Sequence, residues 1–304
     1  MLKPNELLRV PTIGNSALWM FHNSVGDDGV VGLSVSRPGV PVESACLVVG
    51  QREHTQKTMY QLAREGVLYE QWTSVLALAA LRDGDIAIDI GAHVGFFSIL
   101  FRLGVGPTGM VYAFEPMPTT YQRLLHNAMF GGFTNVLPLP LAVSEKSGMS
   151  TFYIDPDNEG ESSLIQLDTR RPCPVNVTRL DDVFGDNLHK RPRLMKLDAE
   201  GVELSIFKGG ARFFETHAPD LVICECHRGL LRASGESEWS LRRFFDERGY
   251  ACAVVNNGVD LGLDAREYYR YLQPDEESVP ESYGYVFNLA FIRHGSGLFP
   301  ARRL

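Results

Sequence analysis

From residue 85 onward, short apolar runs alternate with segments in which apolar residues recur every three or four positions. Short apolar runs bounded by polar residues indicate buried strands, and the longer periodic segments indicate amphipathic helices. The pattern predicts seven strands, at 85–90, 110–115, 135–140, 193–198, 220–226, 250–255 and 284–293. It predicts helices at 94–103, 118–130, 202–215 and 238–248, preceded by one or two helices within 61–82.

This order of elements predicts an α/β fold. Strands that alternate with helices form a mostly parallel, Rossmann-like sheet with helices on both faces, here with seven strands. The last two strands have no helical pattern between them, so we expect an antiparallel strand at the end. Residues 1–60 carry short runs of Gly, Val and Ser and predict a small β-rich N-terminal lobe. Residues 61–304 form the second predicted domain, with an insertion near 145–185 that could carry a specificity element.

Composition narrows the class of partner. The 304 residues carry a net charge of −8, which argues against a nucleic-acid partner held by a basic surface. The five cysteines include no C-x-x-C pair, so we expect no zinc site and a reducing, cytoplasmic location. The longest apolar stretches, such as 75–81, are too short to span a bilayer, so we expect no membrane partner. Homo-oligomerisation stays open.

A glycine-rich turn follows the first predicted strand of the sheet, in the run Asp89-Ile90-Gly91-Ala92-His93-Val94-Gly95. Strand, glycine turn and helix in that order form a cradle for a nucleotide-like ligand. The spacing is D-x-G-x-x-x-G rather than the dinucleotide pattern G-x-G-x-x-G. The next strand ends in Glu115, where an acid can bond both hydroxyls of a ribose. The pair of acids, Asp89 and Glu115, favours S-adenosylmethionine over NAD, because S-adenosylmethionine has a ribose but no pyrophosphate. The alternative is that both acids only cap a helix and a turn.

Two further acidic clusters end predicted strands at the same edge of the sheet. Asp198 and Glu200 lie in the run Met195–Glu203, and Glu225 and His227 end the next strand. A carboxylate there can orient or deprotonate a substrate hydroxyl, and a histidine can act as a base near neutral pH. We therefore take Asp198, Glu225 and His227 as candidate catalytic residues. Carboxylates also bind divalent ions, and the candidate ligands are Asp198, Glu200 and Glu225; the alternative for Asp198 and Glu200 is helix capping.

Together these stretches resemble the FkbM family of S-adenosylmethionine-dependent methyltransferases. The resemblance covers roughly residues 65–293, and the run Lys196–Glu203 after the glycine turn is its more specific part. It rests on the segments Asp89–Ser98, Val111–Pro116, Leu141–Ser144, Thr178–Asp182 and Met195–Glu203. The resemblance implies a class I methyltransferase fold and an O-methyltransferase that acts on sugars, polyketides or other secondary metabolites, antibiotics among them.

The resemblance also implies a set of cofactor-binding residues. Asp89, Gly91 and Gly95 would line the methionine end and Glu115 the ribose. Ala142 and Ser144 would lie near the adenine, and Asp198 near the sulfonium and the acceptor. The complete set is Asp89, Gly91, Ala92, His93, Gly95, Phe96, Glu115, Pro116, Ala142, Ser144 and Asp198. The family often has Asn where this chain has His93, and a need for Mg²⁺ stays open.

The expected reaction is methyl transfer to a hydroxyl of a small polar metabolite, such as a sugar or a glycoside. The insertion carries side chains of both charges, including Asp155, Glu161 and Arg170, which suit a hydroxyl-rich or amino-bearing acceptor. Three alternatives remain at this point. They are an N-methyltransferase of an amino sugar, a nicotinamide-dependent oxidoreductase, and a binding protein that has kept the cofactor pocket without catalysis.

Overall fold

The computed structural model describes residues 8–10, 17–37, 40–185, 187–255, 269–272 and 284–299. The strands are β1 (Leu8–Val10), β2 (Ala17–Val25), β3 (Asp28–Arg37), β4 (Val40–Gly50), β5 (Ile86–Ile90), β6 (Met110–Phe114), β7 (Val136–Leu139), β8 (Ala142–Val143), β9 (Gly148–Ile154), β10 (Arg171–Thr178), β11 (Leu194–Leu197), β12 (Leu221–His227), β13 (Tyr250–Val255), β14 (Tyr269–Tyr271) and β15 (Val286–Arg293). The helices are α1 (His54–Glu65), α2 (Gln71–Ala80), α3 (Phe96–Val105), α4 (Pro118–Phe130), α5 (Leu180–Val183), α6 (Glu203–Gly209), α7 (Ala211–Thr216), α8 (Arg228–Ala233) and α9 (Glu238–Asp246).

The central sheet has the strand order β14-β13-β15-β12-β11-β5-β6-β7. Strands β12, β11, β5, β6 and β7 pair in parallel, as the alternation of strands and helices predicts. Strand β15 runs antiparallel between β12 and β13, which confirms the expected antiparallel strand at the end of the chain. The α/β class is therefore confirmed.

The predicted number of strands is wrong. The described part of the sheet has eight strands instead of seven, and it is mixed, because the pairs β12–β15, β13–β15 and β13–β14 are antiparallel. The additional strand, β14, has only three residues, Tyr-Arg-Tyr, and pairs at the edge with β13. A run of this length gives too little alternation to distinguish a strand from a loop.

Both faces of the central sheet are covered, because successive residues of a strand point to opposite faces. On one face, Ala87, Leu194 and Ile223 pack in a core with α2 and α3. On the other face, Ile88, Met195 and Val222 pack in a second core with α6, α7 and α9. The carboxyl ends of the parallel strands are left uncovered by these helices, and the candidate site lies there.

The N-terminal strands β1 to β4 form a four-stranded antiparallel sheet. Its apolar side chains, including Leu18, Leu33 and Leu47, belong to the same hydrophobic core as Leu76 and Phe101 of α2 and α3. The predicted β-rich region therefore packs directly on the central unit. Its standing as a separate domain that ends at residue 60 stays a prediction.

The segment predicted as an insertion near 145–185 contains most of a small three-stranded sheet. The order is β8-β10-β9, with β10 antiparallel to β9 and parallel to β8. Its core includes Met117, Phe152 and Val175, and it lies beside the ends of β6 and β7. Among the described residues, no helix combines the length and the apolar character needed to cross a bilayer.

Candidate active site

A cavity opens at the carboxyl ends of β6, β5, β11 and β12. Its empty volume is about 1180 Å³, including the part that is open to solvent. The lining changes in character across the sheet. Near β6 and the insertion it is apolar, with Phe114, Leu141, Ala142, Val143, Phe152 and Leu164. Near β11 and β12 it is acidic, with Glu70, Asp198, Glu200 and Glu225 around Lys196. We call these the apolar half and the acidic half of the cavity.

The glycine turn forms the floor between the two halves. The backbone N–H groups of Gly91 and Ala92 donate to the Phe114 carbonyl at 3.0 and 2.9 Å, which folds the turn back towards β6. Gly91 has φ +79°, and a Cβ added there would lie 1.8 Å from the Asp198 carbonyl oxygen. Only glycine fits this approach, because a side chain would force the turn and the end of β11 apart.

Glu115 lies at the boundary of the two halves and lines the cavity. Its Oε2 accepts from the backbone N–H of His93 at 2.8 Å. Its Oε1 accepts from the Met117 N–H at 2.8 Å and from the Thr120 hydroxyl at 2.9 Å. Burial raises the pKa of Glu115 to about 7 despite these hydrogen bonds. Because each carboxylate oxygen has two lone pairs, Oε2 retains an acceptor position for a ligand.

Three of the predicted cofactor-binding residues do not line this cavity: Asp89, Gly95 and Ser144. Asp89 is 1% exposed and lies beneath the turn, where its Oδ2 accepts from the Ser98 hydroxyl at 2.6 Å. Its Oδ1 is buried and has no hydrogen-bond partner among the described residues, and burial raises the pKa of this carboxyl to about 6. The other eight predicted residues, namely Gly91, Ala92, His93, Phe96, Glu115, Pro116, Ala142 and Asp198, all line the cavity.

A buried lysine organises the acidic half. The Lys196 ammonium lies 2.9 Å from Asp198 Oδ2, 3.9 Å from Glu70 Oε1 and 4.4 Å from the centre of the Phe97 ring. Burial lowers the pKa of Lys196, but the charges of Asp198, Glu70 and Glu225 outweigh burial and raise it well above its ordinary value. The lysine is therefore a fixed positive charge within a group of acids.

Glu70 and Tyr69 are cavity residues that the sequence analysis missed. They directly precede α2, more than one hundred residues before Asp198 in the chain. Glu70 adopts φ +41°, and Asn288 of β15 donates to its Oε2 at 3.2 Å. Backbone strain of this kind often accompanies functional sites. No sequence pattern indicates it, because the proximity arises only when α2 packs on the sheet.

Glu70, Asp198 and Glu225 offer carboxylate oxygens that all lie within 4.8 Å of one another. This arrangement includes two of the three predicted metal ligands. Glu200, the third, lies on the same cavity but outside this close group. The Lys196 ammonium already lies against Asp198, so a cation would have to share that carboxylate with the lysine.

The two histidines of the cavity differ in their hydrogen bonds. His227 Nδ1 accepts from the Leu230 N–H at 3.1 Å and caps α8, which leaves the proton of a neutral ring on Nε2. In this tautomer His227 offers a donor to the cavity, not a base. Both ring nitrogens of His93 are buried, and no described residue hydrogen-bonds to them; burial lowers the pKa of His93. His93 also has φ +50°, in the left-handed region.

The cavity is closed on one side by α1 and a short 3₁₀ turn at Glu159–Glu161. The Thr55 hydroxyl at the start of α1 donates to Asn158 Oδ1 at 2.8 Å. Thr55 and Met59 of α1 line the cavity from one side of this contact, and Glu159 and Glu161 line it from the other. The N-terminal region therefore contributes a wall of the site, which the sequence analysis did not predict.

The arrangement can bind a ligand with an apolar ring system next to a polar, hydroxylated centre, and it can present carboxylates to a second molecule. The apolar half, Glu115, the glycine turn and Asp198 follow one another in the order of the strands β7, β6, β5 and β11. In open parallel sheets, the crevice outside the carboxyl ends of the strands is the usual ligand site.

Residues 89–252 match the family model described as the methyltransferase FkbM domain. The hexuronic acid methyltransferase AglP of Haloferax volcanii is 27% identical over 161 residues, which cover 53% of this chain and 64% of that protein. The 31-O-demethyl-FK506 methyltransferase FkbM of Streptomyces tacrolimicus is 28% identical, over 42% of this chain and 60% of that protein. The match therefore spans less than two thirds of the length of these relatives.

Among solved structures, the chain is similar to a SAM-dependent O-methyltransferase from Thermotoga maritima. The identity is 12% and the TM-score 0.42, with 96% of this chain and 94% of that chain covered. An O-methyltransferase from Bacillus cereus in complex with SAH gives 11% identity and a TM-score of 0.38, covering 74% and 80% of the two chains. The family model matches more than half of this chain, from Asp89 at the glycine turn to Cys252 in β13. The chain therefore belongs to the FkbM family of methyltransferases.

Proposed function

We propose that this protein transfers a methyl group from S-adenosylmethionine to a hydroxyl of a small polar metabolite, such as a sugar, a glycoside or another secondary metabolite. The observation that carries the proposal is one continuous cavity. It joins the apolar half to Glu115, the glycine turn and the carboxylate of Asp198. Membership of the FkbM family supports the reaction class.

The residues present fit the proposed cofactor. The apolar half, with Leu141, Ala142 and Phe152, suits a purine ring. Oε2 of Glu115 keeps an acceptor position for a ribose hydroxyl. The buried ring nitrogens of His93 have no hydrogen-bond partner among the described residues, so a polar group of the cofactor could bond to them. The cofactor would supply an electrophilic methyl group on a sulfonium and leave as S-adenosylhomocysteine.

The catalytic role of the protein is mainly one of placement. Holding an acceptor oxygen in line with the methyl carbon supplies much of the rate of such a displacement. Asp198 Oδ2 is held by Lys196, while Oδ1 makes no hydrogen bond to a described residue. As the new bond to the methyl carbon forms, the acceptor hydroxyl gives its proton to Oδ1. Glu225 is a second candidate for this role. The neutral ring of His227 offers its Nε2–H as a hydrogen-bond donor to the acceptor molecule.

The name of one relative supports an oxygen as the acceptor. It acts on 31-O-demethyl-FK506, and another relative acts on hexuronic acid. An N-methyltransferase of an amino sugar would use the same cavity, and a transfer assay distinguishes the two by the product. We further propose a cytoplasmic protein whose partner is a small molecule, not a nucleic acid or a membrane.

Calorimetry and a transfer assay test the proposal together. We expect S-adenosylmethionine and S-adenosylhomocysteine to bind, and NAD not to bind. The assay measures release of S-adenosylhomocysteine with a panel of hydroxylated and amino-bearing acceptors, and mass spectrometry locates the methyl group. Binding of NAD without binding of S-adenosylhomocysteine would show that the cavity serves an oxidoreductase. Salt-sensitive methylation of RNA would place the acceptor in another class.

A further inference from the structure

The acidic half of the cavity has more negative than positive side chains. Four acids line it, Glu70, Asp198, Glu200 and Glu225, against one lysine. Lys196 lies within ion-pair distance of Asp198 and Glu70. Across the described parts of the chain, neither Glu200 nor Glu225 has a cation within 4.0 Å. Among the described residues, these two acids therefore form no ion pair.

Glu200 provides the independent indication of a ligand. Its side chain lines the cavity although the residue is only 7% exposed, and its buried Oε2 has no hydrogen-bond partner in the described parts of the chain. The guanidinium of Arg170 is near enough to act on Glu200 electrostatically, but it forms no ion pair with it within 4.0 Å. Arg170 is held by the Ser163 hydroxyl at 3.1 Å and by Asp155 at 3.6 Å. A buried carboxylate oxygen normally has a partner, so this one points to a group that arrives with the ligand.

We propose that the acidic half recognises an ammonium group of the acceptor, so that the acceptor is a hydroxylated amine such as an amino sugar and not an acidic sugar. This inference rests on the proposed function and names its substrate class. An ammonium group donates three hydrogen bonds and supplies the missing positive charge. The carboxylate of a uronic acid would instead be brought against unpaired acids, which excludes it by repulsion.

The cofactor has an ammonium group of its own, and the experiment must separate binding of that group from binding of an ammonium group on the acceptor. The protein is first saturated with S-adenosylhomocysteine, which carries that group. Glucosamine, glucose and glucuronate are then titrated by calorimetry. We expect glucosamine to bind at least about tenfold more tightly than glucose, and glucuronate to bind more weakly than glucose.

Two variants assign the effect to Glu200. Glu200→Gln keeps the size of the side chain and removes its charge. It should reduce the preference for glucosamine over glucose to about threefold or less and leave affinity for S-adenosylhomocysteine nearly unchanged. Glu159→Gln removes another acid that lines the same cavity, at the 3₁₀ turn, and should leave the preference intact.

Equal binding of glucosamine and glucose by the native protein, or no binding of glucosamine, would overturn the inference without any variant. So would a loss of S-adenosylhomocysteine affinity in Glu200→Gln with the preference unchanged, since that assigns the acid to the cofactor amine. Either result leaves the proposed methyl transfer standing, provided that S-adenosylhomocysteine itself binds. Failure of that binding would instead remove the proposed function.

Discussion

The ammonium of Lys196 lies 2.9 Å from the carboxylate of Asp198, and the lysine side chain is only 1% exposed. The two residues are separated by one position at the end of β11. A lysine at this depth depends on its carboxylate partners, because an unpaired buried charge is strongly destabilising. Asp198 is therefore part of the fold as well as a candidate for the reaction, and the two roles must be separated by experiment.

Replacing Asp198 tests both roles. We expect Asp198→Asn to lower the methyl-transfer rate by about 100-fold or more, because the amide cannot take a proton. The amide oxygen can still accept from Lys196 but no longer offsets its charge, so Asp198→Asn should cost less free energy of unfolding than Asp198→Ala. Asp198→Ala should lose activity and also about 3 kcal/mol of stability, since Lys196 loses its nearest carboxylate partner and keeps the more distant Glu70. An asparagine variant that turns over at the native rate would limit Asp198 to its structural role.

Glu115 should be required for cofactor binding. Its carboxylate holds the His93 and Met117 N–H groups at the rim of the cavity. Glu115→Ala should therefore weaken binding of S-adenosylhomocysteine by about 1–3 kcal/mol, measured by calorimetry. Thr120→Val is the matched control, since it removes one hydrogen bond to the same carboxylate without removing a cavity residue. Equal losses in the two variants would indicate that Glu115 acts only by holding the turn.

The raised pKa of Glu115 predicts a pH-dependent stability of the ligand-free protein. Burial raises this pKa from the ordinary 4.5 to about 7, so protonation favours the folded state. The resulting stabilisation is complete below the unfolded-state pKa and is lost as the pH rises through about 7. Relative to Glu115→Gln, the free energy of unfolding of the native protein should fall by on the order of 3 kcal/mol between pH 4 and pH 8.

Urea denaturation across this range measures the difference. Comparing the native protein with Glu115→Gln cancels the contributions of the other titrating groups to the pH dependence. These groups include His93 and His227, whose lowered pKa values make stability rise with pH. A difference that stays constant with pH would show that Glu115 has the same pKa in the folded and the unfolded protein.

Metal dependence gives a further prediction. Glu70, Asp198 and Glu225 could together hold a cation, but the Lys196 ammonium already lies against the first two. We expect methyl transfer to be unchanged by EDTA and by added Mg²⁺, and the melting temperature to be unaffected by Mg²⁺. Lys196→Met is the informative comparison, because removal of the ammonium should make the three acids responsive to Mg²⁺. Inhibition of the native enzyme by EDTA, reversed by Mg²⁺, would establish a metal site in spite of the lysine.

Local patterns predicted the parts of the site that lie at strand ends. The glycine turn, Glu115 and Asp198 all follow apolar runs directly in the chain, and the parallel sheet brings them to one edge. Glu70 could not be predicted in this way, because it precedes a helix and reaches the site only through packing. The burial that raises the pKa of Glu200 is likewise a property of the assembled cavity and not of neighbouring residues.

Local sequence patterns also failed to predict how the insertion contributes to the cavity. Its mixed charges suggested an element that contacts a polar acceptor. In the structure, Phe152 and Leu164 of this segment line the apolar half of the cavity, while Glu159 and Glu161 line its mouth. Deleting residues 156–166 should therefore weaken cofactor binding as well as acceptor binding. Charge along a loop indicates solvent exposure, but which of its apolar residues turn inward depends on the pairing of β9 with β10.

The wall formed by α1 has a consequence for the engineering of chimeric enzymes. The matched family region begins at Asp89, yet Thr55 and Met59 complete the cavity from a segment that precedes it. Exchanging only the matched region between relatives would combine the strand ends of one protein with the α1 wall of another. Grafts that carry β2 to β4 and α1 along with the catalytic unit preserve the original enclosure. The junction for recombination therefore belongs before the N-terminal sheet, not at the glycine turn.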